Sequence, residues 1–171
     1  MTAYFKHTSS MKACTLAGKD SVVVSSVRYL KFDKNDIPAD IRISSSNDYQ
    51  FTLDHNSNAS FVLIGSTSIK KSGSSTSETI FQFYDETNST YIGKRGSLAS
   101  NSGSSSTDQQ DKNPCYRTAA VAVILASDFS GADITVSLRE ISSTGTIDYA
   151  FEPTGFENHS GFPCLQIYQS K

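Results

Sequence analysis

The amino-acid sequence predicts an all-β protein, built as an antiparallel β-sandwich or jelly roll. Short segments alternate apolar with polar side chains, which is the period of two that a half-buried strand shows. Clusters of Gly, Pro, Asn, Asp and Ser separate these segments, and no segment has a convincing helical period. About nine or ten strands joined by short turns are typical of a sandwich, although periodicity alone does not choose between the two topologies.

The element around which we expect the chain to be organised is a hairpin over residues 79–96. Phe81 and Phe83 alternate with polar or aromatic neighbours, so one face of this strand is predicted to enter the core. Asp85–Asn88 supplies short polar side chains that favour a turn. The strand after the turn, starting at Tyr91, is predicted to be only a few residues long. Two glycines should interrupt it, Gly93 and Gly96.

Six other strands follow from the same alternation. In chain order they are Ser21–Phe32 with a break at Ser25–Ser26, Ile41–Ile43, Tyr49–Leu53, Ile134–Arg139, Ile147–Phe151 and Pro163–Gln169. In the strand at Ile134–Arg139, the apolar side chains are predicted to face the core. Its polar side chains, ending with Arg139, are predicted to be exposed.

Two segments are continuously apolar and do not alternate. Phe61–Ile64 is predicted to be a strand that is buried on both faces. Arg117–Ser127 is a longer apolar run with several small residues, so a buried helix competes with a strand there. Its two valines and its isoleucine favour the strand.

The chain is long enough for one domain, at 171 residues. We assign residues 21–171 to this domain and residues 1–20 to an extended N-terminal arm. Tyr4 and Phe5 are the candidate docking side chains of the arm, either in a groove of its own domain or on a neighbouring subunit. Polar residues 65–78 and 97–113 are predicted loops, and the second is long enough to suggest a functional surface or local disorder.

The balance of charge argues against several classes of partner. Fifteen Lys and Arg residues stand against 17 Asp and Glu, a net charge of −2, so no strong field attracts nucleic acid or an anionic membrane. No apolar run approaches the roughly 20 residues that span a bilayer. Residues 1–10 lack the apolar centre of a secretion signal. We therefore expect a protein made in a cytoplasm, with no nucleic-acid partner and no membrane insertion.

Motifs for catalysis and for cofactor binding are missing from the sequence. Neither GxSxG nor HExxH occurs, and there is no glycine-rich phosphate loop. His7, His55 and His159 are predicted to be solvated, because none has a nucleophile or carboxylate companion that the sequence makes obvious. Paired acids at Asp85–Glu86 are interpreted as turn formers. The sequence therefore predicts no catalytic residue and no cofactor.

Metal sites are also not expected. The acidic segment Asp33–Asp40 lacks the spacing that places six or more oxygens around calcium, so it is interpreted as a turn. Cys14, Cys115 and Cys164 show no zinc-ligand spacing with the histidines. Free thiols are the favoured state, and the sequence leaves a bridge between Cys115 and Cys164 open.

Three short segments resemble parts of a known family. They are residues 81–96, in which a YDxTN pattern is followed by YIG, then ITVSLR at Ile134–Arg139, and CLQIYQ at Cys164–Gln169. Together they resemble bacteriophage virion proteins that have a C1q-like or TNF-like jelly-roll domain. This chain departs from the pattern in having no tryptophan, so Phe81 and Phe83 would take the place of one in the central strand.

The resemblance implies a jelly roll that forms a homotrimer on the surface of a virus particle. The side chains that would fill the sandwich are Phe81, Phe83, Leu165 and Ile167. The side chains that would face partner subunits are Gln82, Tyr84, Gln166 and Tyr168. The competing interpretation is that these tyrosines lie on a wetted sheet face.

We therefore expect a non-enzymatic structural protein of the phage virion. In this hypothesis it decorates or cements the capsid and contacts other virion proteins. Its N-terminal arm anchors it to the particle, which is assembled in the host cytoplasm. The alternative is a receptor-binding head of a tail fibre or spike whose polar loops contact a cell-surface glycan. A carbohydrate-binding module is a third hypothesis, and it lacks tryptophan platforms.

Overall fold

The computed structural model describes residues 12–32, 41–43, 47–66, 69–70, 77–100, 115–117, 119–144, 148–149 and 164–170. These residues form thirteen strands. In chain order they are β1 (Lys12–Val24), β2 (Val27–Phe32), β3 (Ile41–Ile43), β4 (Gln50–Leu53), β5 (Ser60–Ser66), β6 (Ile69–Lys70), β7 (Ser77–Asp85), β8 (Thr90–Ser100), β9 (Cys115–Arg117), β10 (Ala120–Ile124), β11 (Ile134–Thr144), β12 (Asp148–Tyr149) and β13 (Cys164–Ser170).

The predicted all-β, antiparallel fold class is confirmed. Every strand pairing in the described part of the chain is antiparallel. The helices among these residues are two short 3-10 helices, His55–Ser57 and Ala126–Asp128. Within the same residues, no helix is long and apolar enough to cross a membrane.

Most of the strands form one curled sheet whose path returns to its start. The order of neighbours is β2-β1-β13-β5-β10-β8-β7-β11, and β11 also pairs with β2. Strands β4 and β3 continue outward from β11, and β9 pairs with β8. A separate pair is formed by β6 and β12. The curled sheet therefore has an inner side that encloses a core and an outer side that faces away from it.

The core is made of side chains that alternate along the strands. Phe81 and Phe83 of β7 are 3% and 0% exposed, and Leu165 and Ile167 of β13 are 0% and 1% exposed. All four belong to one buried cluster, as predicted. Full burial of an aliphatic or aromatic side chain contributes about 1.5–3 kcal/mol, so these alternating positions are a main source of stability.

Strand β1 begins nine residues before the predicted start of the domain. The predicted boundary between arm and domain, at residues 20 and 21, falls inside β1, because Lys12–Val24 form one strand. The first part of β1 pairs with β13 and the second part pairs with β2. Residues 12–20 are therefore part of the sheet, while Tyr4 and Phe5 lie outside the described residues.

Strand β8 is longer than the sequence suggests. Gly93 and Gly96 were expected to interrupt it. The pairing of β8 with β7 is irregular between Ile92 and Gly96, but the strand continues to Ser100. Gly93 has a φ of 72°, and an added Cβ there would lie 2.0 Å from the carbonyl oxygen of Val121. The glycine therefore allows β8 to bend and to touch β10 at this point, so it continues the strand across the fold.

The two continuously apolar segments are neighbouring strands. Residues 120–124 form β10, so the strand interpretation is confirmed over the helix. β10 pairs with β5 along its whole length. The prediction that β5 is buried on both faces is wrong for the single chain, because Phe61 and Leu63 are fully buried while Val62 and Ile64 are only partly covered.

The predicted loops are in part strand. β5 extends to Ser66 and β8 to Ser100, so both continue into segments that were expected to be loops, and residues 69–70 pair as β6. In the predicted strand at Ile147–Phe151, the described residues are Asp148 and Tyr149. The acidic turn at Asp33–Asp40 lies outside the described residues.

Candidate functional site

One outer surface of the curled sheet is uncharged and mainly apolar at its centre, and we name it the β13 face. It consists of the outward side chains of β1, β13, β5 and β10. The strand register places Ala13, Tyr168, Val62 and Val123 side by side in one row across these four strands. Gln166, Ile64 and Val121 form a second row beside it. Because paired residues of neighbouring strands point to the same side, these side chains make one continuous surface.

The β13 face is open to solvent in the single chain. Val123 is 50% exposed, and Leu125, which directly follows β10, is 49% exposed. Val62, Ile64, Gln166 and Tyr168 are partly covered. The outward side chains described on these four strands are all uncharged, and the second row ends beyond β10 at Lys94 of β8. The face is therefore apolar at its centre and charged at this edge.

Beneath this face lies the thiol of Cys14. Cys14 pairs with Ile167 of β13 and is partly buried against the core. Burial raises the pKa of the Cys14 thiol. The thiol is free, as predicted for this cysteine. The side chains of Cys115 and Cys164 lie outside the described part of the chain, so their predicted state stays a prediction.

The outer surface on the opposite side is different, and we name it the β7 face. Its centre is an ion pair between Arg139 of β11 and Glu86, which follows β7, with Nη2 and Oε2 2.5 Å apart. Ser137 donates its hydroxyl to Oε1 of the same carboxylate. The side chains of Arg139 and Glu86 are only 13% and 18% exposed. Arg139 was predicted to be exposed, and this is wrong because Glu86 folds over it.

Aromatic rings enclose the same guanidinium group. The central carbon of the Arg139 guanidinium lies 3.5 Å from the centre of the Tyr84 ring and 4.9 Å from that of Tyr29. Tyr29 contacts Tyr49, and Tyr84 meets Tyr91 edge to face. Contacts of a cation with aromatic faces stabilise both groups, by about 0.5–2 kcal/mol depending on burial. The β7 face is thus covered by its own side chains.

This environment changes two pKa values. Burial opposes the charged form of Arg139, but the hydrogen bond and charge of Glu86 outweigh it and raise the pKa of the guanidinium. Burial also raises the pKa of the Tyr29 phenol, although the nearby Arg139 acts in the opposite direction. The Tyr29 shift thus comes from burial, whereas the Arg139 shift comes from its ion pair with Glu86.

Gln82 connects the β7 face to the bend in β8. Its Nε2 donates to the carbonyl oxygen of Gly93 at 3.0 Å, and its Oε1 accepts from Nε of Arg95 at 3.3 Å. Gln82 is 8% exposed. Both ends of its amide are therefore used within the chain, next to the glycine that lets β8 cross towards β10.

The structure separates the four side chains that were predicted to face partner subunits. Gln82 and Tyr84 lie on β7, while Gln166 and Tyr168 lie on β13. In the closed order of strands, three strands lie between β13 and β7 in each direction. They are β5, β10 and β8 in one direction, and β1, β2 and β11 in the other. The two strands are thus equally far apart in both directions, so their outward side chains point to opposite sides of the molecule.

A third group of polar side chains lies at one end of the fold. Asp133 lies just before β11, and its Oδ1 accepts a hydrogen bond from the backbone N–H of His55 at 3.1 Å. The same oxygen lies 2.7 Å from Nδ1 of the His55 ring. Asp54 Oδ1 is 3.9 Å from the same ring nitrogen. His55 was predicted to be solvated, with no carboxylate companion obvious in the sequence. Its side chain is 33% exposed, and the fold brings Asp133 to it.

The contacts within this group hold the 3-10 helix in place. Asp54 caps the helix by accepting the N–H of Asn56, while Asp133 joins it to the start of β11. One ligand atom each of Asp54, His55 and Asp133 lies within 4.8 Å of the others. Asp133 lies within hydrogen-bond distance of the His55 ring whereas Asp54 does not, and both carboxylates already accept backbone N–H groups. The geometry is therefore that of a helix cap.

Asp85 behaves as the sequence predicts. Its Oδ1 accepts the backbone N–H groups of Thr87 and Asn88, which closes the turn between β7 and β8. Glu86 was given the same role but takes part in the β7 face. His7 and His159 lie outside the described residues.

Comparison with protein-family models, with curated proteins and with solved structures found no match to this chain. The resemblance to phage virion proteins therefore stays a prediction.

Proposed function

We propose that this chain is a non-enzymatic structural protein that assembles with copies of itself through the β13 face. The proposal rests on one observation. The two continuously apolar segments of the sequence, in β5 and β10, lie side by side, and their outward valines and isoleucine are left partly open to solvent. A strand with apolar side chains on both faces is typical of a sheet that is covered on both sides. A second molecule would provide the missing cover.

The chemistry of the face favours another copy as that molecule. The described outward side chains at its centre are uncharged, so two copies can approach without like-charge repulsion. Tyr168 supplies an aromatic ring with a polar end, which suits a subunit interface. Four strands and about three outward positions per strand give an area on the order of 400 Å². This is about half of one partner's share of a standard interface, so the contact must extend beyond the face.

The strand order supports a jelly roll. Apart from β2, which joins β1 to β11, one side of the fold has the order β1-β13-β5-β10, and the other has β4-β11-β7-β8. The first side alternates strands from early and late parts of the chain, and the second places β4 and the hairpin of β7 and β8 on either side of β11, as in two interlocked Greek keys. In the proposal, three such domains meet around a threefold axis, as the resemblance implies.

The location we propose is the surface of a phage particle, where the trimer decorates or cements the capsid. This step depends on the resemblance at residues 81–96, 134–139 and 164–169. The N-terminal arm would then anchor the trimer. Because β1 begins at Lys12, the proposed arm is restricted to residues 1–11.

The mass of the protein in solution tests the assembly step. Light scattering at increasing concentration should give three times the mass of one chain, and Val62→Lys, at the centre of the first row, should give one chain. Circular dichroism checks that the variant is folded. A wild-type protein that stays a single chain at all concentrations would refute the proposal.

Electron microscopy of an intact particle tests the location. Density for the trimer on the capsid shell, lost on deletion of residues 2–11, is the expected result. Density at the end of a tail fibre would instead favour the receptor-binding alternative, with cell-surface carbohydrate as the ligand to test next.

A further inference from the structure

A second apolar surface projects from the fold at the tip of the hairpin formed by β1 and β2. Among the described residues, five large apolar or aromatic side chains are strongly exposed: Val23, Val24, Tyr91, Val123 and Leu125. The last two belong to or border the β13 face, and Tyr91 packs on Tyr84 in the β7 face. Val23 and Val24 belong to neither face.

The register of this hairpin shows why its tip is exposed. Ser21 pairs with Leu30, and Val23 pairs with Arg28, so Val23 lies on the same side of the hairpin as the fully buried Leu30. Val23 is nevertheless 54% exposed. The hairpin therefore extends past the end of the core, and Val24, on its other side, is 37% exposed as well. The tip is apolar on both sides.

The turn itself keeps the two valines at the very end. Ser25 and Ser26 both have positive φ, 49° and 67°, which is the geometry of a two-residue turn that matches the twist of a hairpin. Asn and Gly adopt these angles more easily than Ser. The charged Arg28 next to the tip is directed back towards Ser21 and Glu140. The end of the hairpin is thus small and uncharged.

The tip and the β13 face do not cover each other within one chain. Ala13, in the first row of the β13 face, and Val24, at the tip, lie near opposite ends of β1, which changes its partner from β13 to β2 at about Gly18. Val23 at the tip and Val123 on the face are 54% and 50% exposed. A contact that buries both surfaces therefore joins two molecules.

We propose that the hairpin tip of one copy docks on the β13 face of the next copy, with Val23 and Val24 against Val123 and Leu125. Both surfaces are apolar and uncharged, and the tip supplies area that the β13 face alone lacks. Two different surfaces in one contact make the interface heterologous, and such contacts close into rings, including a ring of three. The inference rests on the proposed self-assembly, and it identifies the hairpin tip as the surface that contacts the β13 face of the next copy.

Two double variants of the full chain test this interface by mixing. One carries Val23→Ser and Val24→Ser, and the other carries Val123→Ser and Leu125→Ser. Each should be a single chain, with association weakened by at least about tenfold. When mixed, they should form a complex of two chains that grows no further, because one intact tip meets one intact face and the ring is not completed. Ultracentrifugation measures the masses.

A matched control keeps the valines and changes only the turn. Ser25→Asn with Ser26→Gly should give the mass of the wild type, because these residues suit the turn better. The inference is overturned if the tip variant keeps the wild-type mass while the Val123 and Leu125 variant is a single chain. It is also overturned if both are single chains that do not combine. A wild type that never associates would refute the proposed assembly itself.

Discussion

The two outer faces of the curled sheet differ in how their large outward side chains are covered. On the β7 face, Arg139 is paired with Glu86 and enclosed by Tyr29 and Tyr84, so its large side chains have partners within the chain. On the β13 face, Val62 lies between Tyr168 and Val123, and no described side chain covers this row. The difference indicates that one face is complete in a single molecule and the other needs a partner.

This comparison also shows why tyrosines alone do not mark an interface. Tyr84 and Tyr168 are similar in the sequence, each following a core residue in an alternating strand. Tyr84 packs on Arg139 and Tyr91, whereas Tyr168 lies in a row of valines and an alanine. The neighbours across the sheet, which the linear sequence does not show, decide the role of each ring.

The largest effect is expected at Gly93, because there β8, which pairs with β7, touches β10 of the β13 face. Gly93→Ala would place a Cβ 2.0 Å from the Val121 carbonyl oxygen at a φ of 72°. We expect a loss of at least about 3 kcal/mol in the free energy of unfolding, measured by urea denaturation. The matched control is Gly131→Ala, which has a φ of 81° but no atom within 4 Å.

The control should lose only about 1–2 kcal/mol, the cost of the left-handed backbone for a residue with a Cβ. Equal losses at Gly93 and Gly131 would show that the close contact between β8 and β10 does not hold the two faces together.

A smaller loss is expected when the β7 face is broken. Glu86→Ala leaves the mostly buried Arg139 guanidinium without its carboxylate, and should cost about 2 kcal/mol of stability. This is less than for a fully buried pair, because both side chains keep some contact with water. Adding Arg139→Met should recover part of the loss, since the unpaired charge is then gone. Neither change should alter the mass in solution.

An additive result in this double-variant cycle would contradict the ion pair. A change of mass with either variant would contradict the claim that the β7 face is complete in one chain.

The smallest effect is a pH dependence at Tyr29. Burial raises the pKa of its phenol in the folded protein above the ordinary value of about 10. The neutral phenol therefore favours the folded state, fully so below about pH 10, and this contribution disappears as the pH rises through the folded pKa. Wild type should lose more stability than Tyr29→Phe as the pH is raised above about 10. Identical losses in chemical denaturation would refute the shift.

The alternation of apolar side chains made the core predictable. Phe81, Phe83, Leu165 and Ile167 could be assigned to it because a strand's period of two is a local property. The unbroken apolarity of β5 predicted cover on both sides, which the single chain lacks. It did not show that β5 and β10 would be neighbours, because register depends on pairing between distant segments.

The missed contacts all join residues that are far apart in the sequence. Glu86 meets Arg139, and His55 meets Asp133, only after β11 has been placed beside β7 and β4. The length of β1 was missed because residues 12–20 have little alternation, and their pairing with β13 and β2 provides the order instead. Local sequence patterns therefore predicted the strands, whereas the composition of the two faces follows only from how the strands pair.

A paired substitution of two tyrosines tests the contrast between the faces most directly. Tyr168→Lys and Tyr91→Lys each replace an aromatic ring by a charge, one on the β13 face and one on the β7 face, where Tyr91 is 44% exposed. The mass of each folded variant in solution is then compared with that of the wild type. We predict a single chain for Tyr168→Lys and the wild-type mass for Tyr91→Lys. An associated Tyr168→Lys together with a single-chain Tyr91→Lys would contradict the account.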